Sequence, residues 1–467
     1  MYISKLELNN FRKFEKLTLK FDKDSTSNIN VFIGSNGSGK STALEAIEYL
    51  LQRFTQRSAR QSYKNPFTFA DITNTYDGGY GESSIELEVI LGNQYNSNYE
   101  KSDIFSWKIP VNRFDRVYSE KVSRVSLNEI DRLVSKVNSD ANLESDIQEL
   151  PAIMSYRVDR SSIVIPRRNT GRSLKTPIGY YKSLFSKQTS FRNFFEWFED
   201  IENIENQFRV SEINGYGARI TPELRNSVEQ IKAVRYAIES FMDGFYGLHV
   251  DRTSPKSINI YKNGEMFTIN QLSHGEKILL ALVGDIAKNL VICNPQNENP
   301  LDATGIVLID EVDLHLHPKW QMDILDKLSK TFRNCQFIVT THSPLVINTA
   351  DNVNVYNFDD IINGEKLRPQ TYLGWSANQM YKQMGANFME NRIYETLNQI
   401  SYKIDQAAND KKAIASAKSK LNDLVDEIPT AKNEKLDELR ERVNLVSSIV
   451  SSDEIISSDA FNRIFGE

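Results

Sequence analysis

Residues Gly34–Ser41 read Gly-Ser-Asn-Gly-Ser-Gly-Lys-Ser, behind the apolar run Ile29-Asn-Val-Phe-Ile33 and ahead of Thr42-Ala-Leu-Glu-Ala-Ile47. A short apolar run, a glycine-rich GxxxxGK[ST] octet and a helix-periodic run predict a buried strand, a tight loop and a helix. Gly34, Gly37 and Gly39 allow backbone conformations closed to residues with a Cβ, so N–H groups can turn inward. The helix starting near Lys40 would direct its positive end at an anion. Lys40 is then placed for the β- and γ-phosphates of a nucleotide, and Ser41 for Mg²⁺. Asn36 and Thr42 complete the expected nucleotide-contacting set of this loop.

Two downstream runs suit the same chemistry. In Val307-Leu-Ile-Asp310-Glu311 an apolar strand ends in two acids. Asp310 can hold Mg²⁺ through water, and Glu311 can act as general base on an attacking water. Phe337-Ile-Val-Thr-Thr-His342 is another apolar strand, ending in histidine. Both runs are nearly continuous in apolar residues, as expected of parallel strands covered on both faces. Leu272-Ser-His-Gly-Glu276 reads as a helix start, with Ser273 as N-cap and Glu276 closing a capping box. His315 and His317 alternate beside acids, but the three or four ligands at fixed spacing that Zn²⁺ needs are missing.

The chain has 467 residues, formal net charge −6 and two cysteines, Cys293 and Cys335. Its length accommodates a large core and a smaller module. The near-balanced charge argues against indiscriminate nucleic-acid binding, and two cysteines cannot form a disulfide framework. No apolar run approaches the ~20 residues of a membrane span. The N-terminus alternates like a strand rather than a signal peptide. A soluble protein of the cytoplasm is expected.

The expected fold class is α/β, with a mixed sheet, an inserted helical arm and a helical C-terminal tail. Residues 1–175 form the first lobe, with strands around the loop, a strand at Ser84–Leu91, and an irregular stretch from about 92. Residues 176–247 form the arm, where Phe191, Phe194, Phe195 and Phe198 make one helical stripe and Ile231, Val234, Ile238 and Phe241 another. Core packing explains the aromatic stripe better than a ligand site does. Residues 248–374 return to strands, with Asn263-Gly264 as a hairpin turn, and carry the downstream runs. Residues 375–467 read as short helices without sustained heptads, suited to oligomerisation or docking of a partner.

Taken together, these motifs resemble the ABC-type ATPases of the RecF, SMC and OLD group. The resemblance implies a P-loop ATPase head that binds ATP and Mg²⁺ and pairs head to tail with a second copy. It implies that Ser273, Gly275 and Glu276 contact the γ-phosphate held by that copy, and that Asp313 contacts its phosphate loop. His342 would read the γ-phosphate, and Arg12, in Asn10-Phe-Arg12, would lie near the nucleotide. Asp71 stands at the place of the Q-loop. The early glutamate and later Asp-x-Asp of OLD nucleases do not follow Gly374, so no nuclease of its own is expected. Leu150–Tyr156 with Arg160, the helix around Trp197, and Gly374-Trp-Ser with Met384-Gly resemble the PtuA-type ATPases of Septu and retron-linked operons. AriA-type ATPases of PARIS systems share the plan. The resemblance implies a bacterial antiphage complex of ATPase dimers, assembled further into a ring, that holds a separate nuclease encoded nearby. The alternative is a RecF-like DNA-clamping ATPase of DNA repair. Its feature is the basic run Arg157, Arg160, Arg167, Arg168, Arg172 and Lys175, which is either a nucleic-acid contact or a solvated loop.

Overall fold

The computed structural model describes residues 1–21, 27–62, 71, 83–91, 103–111, 124–139, 150–158, 176–184, 192–213, 222–253, 257–295, 297, 299–350, 352–361, 366–367, 369–370, 372, 416, 419 and 422. The chain divides into two compact units, Met1–Gly385 and Ala386–Glu467. Almost all of the expected 375–467 tail, the Gly374 and Met384 motifs, Phe191 and the basic residues from Arg160 to Lys175 lie outside the described residues.

Two sheets hold the first unit together. The strand ahead of the phosphate loop, β3 (Ile29–Ile33), lies inside a five-stranded sheet that is parallel throughout. Its order is β12 (Asn354–Asn357), β3, β11 (Cys335–Thr340), β10 (Gly305–Ile309) and β6 (Ala152–Tyr156). Every residue of β3, β10 and β11 is buried, which explains why these runs carry no polar alternation. The second sheet runs β13 (Lys366–Leu367), β2 (Phe14–Lys20), β1 (Tyr2–Phe11), β4 (Ser83–Ile90) and β5 (Ile104–Val111), and is antiparallel except at β13.

Helix α1 (Lys40–Ser58) touches β4 and β5 on one side and β11 on the other. The Trp107 indole of β5 donates to the Leu50 carbonyl of α1 at 3.0 Å. The buried Gln336 amide ties the two sheets directly. Its oxygen accepts from the Ile3 N–H at 2.7 Å and its nitrogen donates to the Ile3 carbonyl at 3.0 Å. Both cysteines are buried thiols, and burial pushes Cys335 up to about 12.

The described residues within the stretch from residue 92 hold regular elements that the sequence reading does not expect. They include β5 and α2 (Arg124–Ser139), whose Ile130 and Leu133 are buried. α2 carries Ile130, Leu133, Val134 and Val137 at helical spacing, a pattern present in the sequence, and packs on β5 and α1.

The described helices between residues 176 and 247 form a packed layer. Here α3 (Pro177–Ser183), α4 (Arg192–Ile213) and α5 (Pro222–Phe241) all contact the rest of the unit. Phe194, Phe195 and Phe198 are buried, as are Ile231, Val234, Ile238 and Phe241. Charged side chains knit the layer to its neighbour. Arg235 forks between Glu205 at 2.7 Å and Glu202 at 3.1 Å. Both carboxylate side chains are only 3–4% exposed, so the pairing offsets a large desolvation cost. Glu202 also accepts the Val250 N–H at 3.0 Å, from β7 (Phe245–Asp251).

β7, β8 (Ser257–Lys262) and β9 (Glu265–Thr268) form a third, antiparallel sheet. Asn263 and Gly264, with φ of 51° and 90°, join β8 to β9. Positive φ at both central residues is the type I′ hairpin geometry. Beyond it α6 (His274–Cys293) is buried along most of its length. Short helices α7 (Pro318–Thr331) and α8 (Pro344–Asn348) follow β10 and β11. No described helix is long and apolar enough to cross a membrane.

Candidate nucleotide site

The glycine loop joins the end of β3 to the start of α1, and α1 is capped in an unusual way. Its N-cap is Gly39 in the left-handed region, with no side-chain cap and no acidic residue in the first turn. The first amides are therefore left to an external anion. Gly39 cannot be replaced cheaply, since a Cβ there would come within 2.2 Å of the Phe14 ring at φ 105°. Phe14 and its neighbour Lys13 belong to the tight turn between β1 and β2, which lies across the loop. Lys13 donates to the Gly37 carbonyl at 2.8 Å.

Lys40 turns its ammonium back into the loop, donating to the carbonyls of Gly34 at 2.8 Å and Ser35 at 2.9 Å. Burial lowers its pKa below the ordinary lysine value, against the opposing pull of Asp359, Asp310 and Glu311. Asn36 and Ser41 are exposed at the loop, and Thr42 is half-buried.

Asp310 follows the last residue of β10, and its N–H donates to the Tyr156 carbonyl at 2.8 Å. One carboxylate oxygen accepts from the Ser41 hydroxyl at 3.1 Å and from the Thr340 hydroxyl at 2.6 Å. The Thr340 hydroxyl also accepts the Glu311 N–H at 2.7 Å. A single threonine on β11 thus holds both acids, and Ser41 and Asp310 present two hard oxygens together, the donor type that Mg²⁺ takes. Glu311 has φ 51°, a left-handed conformation that costs about 1–3 kcal/mol for a residue with a Cβ and persists where surrounding contacts impose it. Thr341 repeats the arrangement one residue on, donating to Asp313 at 2.6 Å. His342 comes next and is exposed. Partial desolvation of the ring against its neighbours and the nearby Lys40 charge lower its pKa, and Glu311, Asp313 and Asp310 oppose that shift.

Arg12 and Asp71 are brought together. The Arg12 guanidinium bonds Asp71 at 2.8 Å and Glu45 of α1 at 2.5 Å, and its N–H donates to the Asp71 carbonyl at 2.8 Å. Arg157, at the end of β6, pairs with Glu48 at 2.9 Å on the same helix. That pairing gives Arg157, the one described member of the basic run, an intramolecular partner.

The start of α6 forms a separate surface. Ser273 caps it by accepting the Glu276 N–H at 3.3 Å, while Glu276 accepts the Ser273 N–H at 2.8 Å. Lys262 completes the group at 2.7 Å from Glu276. Burial works to raise the Glu276 pKa, and the Lys262 and Ser273 bonds outweigh it and hold the carboxyl below its usual value. Glu276 is therefore occupied within the cap, whereas Ser273 and His274 are exposed. A Cβ at Gly275 would meet the His315 carbonyl at 2.6 Å, so the helix start packs directly on the segment after Glu311. His274 and His315 contact edge to face at 4.8 Å. His317 accepts the Lys319 N–H at 3.3 Å and caps α7. Sequence reading missed Lys13 and Thr340. A second hydroxyl residue at the end of an apolar strand was the available signal for Thr340.

Residues 29–348 match the family model described as "AAA domain, putative AbiEii toxin, Type IV TA system". The chain is 33% identical over 385 residues to "Retron Vc95 probable ATPase" of Vibrio cholerae, covering 75% of this chain and 72% of that protein. It belongs to this family of AAA-domain ATPases. Identity to "Retron Ec83 probable ATPase" of Escherichia coli is 31%, covering 78% of this chain and 72% of that one. "Septu protein PtuA" of Bacillus mycoides is 25% identical, over 74% of this chain and 38% of its own length. The resemblance to retron-linked and PtuA-type ATPases read from the motifs therefore holds.

Proposed function

We propose that the chain is the ATP-hydrolysing subunit of an antiphage defence complex of the retron and Septu kind. Ser41 and Thr340 both donate to Asp310, and Thr340 accepts the Glu311 N–H beside the glycine loop, an arrangement that supports hydrolysis. The likeness to retron and Septu ATPases supports the defence setting. Lys40 and the first amides of α1 hold the phosphates, and Glu311 takes the proton from the attacking water. Ser41 and Asp310 would hold Mg²⁺, which supplies charge neutralisation to the phosphates. His342 lies beside Lys40 and Glu311 in charge terms, where it can sense the γ-phosphate. The exposed Ser273 and His274, at the start of α6, face a second copy's nucleotide, and Asp313 lies on the same side of the pairing. Two copies then enclose ATP head to tail, pairs assemble further, and a separate nuclease supplies the effector chemistry in the bacterial cytoplasm.

The test is the native mass of tagged chain purified with ATP from cells that express its neighbouring genes. A large assembly containing a co-purified nuclease is expected. A bare dimer that assembles only on added DNA would overturn the proposal in favour of a DNA clamp.

A further inference from the structure

The phosphate loop is gripped from outside by a residue that no motif marks. β12 lies beside β3, with Asn357 opposite Ile33, so the turn after β12 emerges next to the loop. In that turn Asp359 accepts the Ser35 N–H at 2.7 Å through one carboxylate oxygen and the Ser35 hydroxyl at 2.7 Å through the other. The turn is itself fixed. Asn357 accepts the Asp359 N–H at 3.1 Å and donates to Asp360 at 2.9 Å, and Gln370 donates to Asp360 at 3.1 Å.

Phe358, next in the chain, is buried against Phe32 at 4.9 Å and meets Phe14 edge on at 6.3 Å. Phe14 is the ring that lies against Gly39. The loop is therefore held at both ends by segments that also touch each other beneath it: the β1–β2 turn at Gly37 and Gly39, and the β12 turn at Ser35.

We propose that Asp359 is a positioning residue for nucleotide binding. Its two charge-assisted bonds to Ser35 hold the loop in its binding path, so ATP does not have to order the loop on arrival. The inference rests on the ATP-binding reading above. It also distinguishes the hydrogen bonds from the charge. Asparagine can reproduce both bonds, accepting the Ser35 N–H through its oxygen and donating to the Ser35 hydroxyl through its nitrogen.

The experiment is calorimetric titration of ATP into the full-length chain, with steady-state turnover measured in parallel. Asp359→Ala should weaken ATP affinity by about tenfold, the scale of losing hydrogen bonds to a charged group, and raise KM while kcat stays within about twofold. Asp359→Asn should restore affinity to within about threefold. Should Asp359→Ala fail to fold, Ser35→Ala reports the same brace from the loop side, with a smaller loss of affinity. Wild-type affinity in Asp359→Ala, or an Asn variant as weak as the Ala variant, would overturn the brace. Lys40→Ala separates the two readings: if it also binds ATP normally, the nucleotide site itself is wrongly placed.

Discussion

The phosphate loop and the start of α6 are both helix N-termini suited to an anion, and the chain builds them in opposite ways. α1 begins at a glycine with no side-chain cap. Its surroundings come from residues far away in sequence: Phe14, Asp310, Thr340 and Asp359. α6 closes its own start within four residues through the Ser273–Glu276 box. The loop half is assembled by tertiary contacts and carries the acids. The α6 half is locally complete and leaves Ser273 and His274 exposed. A change in the first should therefore disrupt binding or chemistry, and a change in the second should act mainly on what docks there.

The largest expected effect tests the chemistry of the first half. Glu311→Gln should slow phosphate release by ~10²–10⁴-fold, the usual weight of a general base, while ATP affinity measured by calorimetry is retained. Hydrolysis at the wild-type rate would move the base elsewhere.

Next comes Gly39→Ala, which forces a Cβ toward the Phe14 ring at 2.2 Å from a left-handed backbone. Strain plus overpacking should cost roughly 2–4 kcal/mol in denaturant unfolding, with loss of ATP binding. An unchanged melting curve would show that the β1–β2 turn moves aside easily.

The α6 half should respond differently to two substitutions at one position. Ser273→Ala removes the cap and should cost about 1 kcal/mol in thermal unfolding, with ATP affinity kept. Ser273→Arg should abolish ATP-dependent pairing in sedimentation while each chain still binds ATP. Normal pairing in that variant would refute the head-to-tail arrangement.

The smallest effect is a pH dependence. His342 has a lowered pKa in the folded chain, led by partial desolvation of its exposed ring. As pH falls below the unfolded value of about 6.5, the unfolded chain takes up a proton that the folded chain does not. Stability should decline in that window and level off below the folded pKa. His342→Gln should flatten this limb of the pH–stability curve; an unaltered limb would assign it to other groups.

Much of this was legible in residue order because it depends on contacts close in sequence. The loop needs its glycines and lysine at fixed spacing, β10 and β11 show themselves as unbroken apolar runs, and Asn263-Gly264 specifies its own turn. The Ser273–Glu276 box is likewise an i, i+3 pattern. Asp359 has no such mark, and Thr340 has only that of a hydroxyl residue ending an apolar strand. Each is an ordinary polar residue at a strand end until parallel pairing sets β11 beside β10 and β12 beside β3. The pairing of Arg12 with Asp71 and Glu45, and of Arg157 with Glu48, is of the same kind.

The sequence by itself determined that this chain builds a glycine phosphate loop on an α/β framework, with acids, a histidine and a capped helix start arranged in order behind it. Local geometry and short-range patterning suffice for that. Only the tertiary structure decided which side chains hold the acids and brace the loop, and that the described helices of the insertion form a layer packed on α6 and β7. Those outcomes depend on strand order and on side chains hundreds of residues apart meeting at hydrogen-bond distance, which no local pattern encodes.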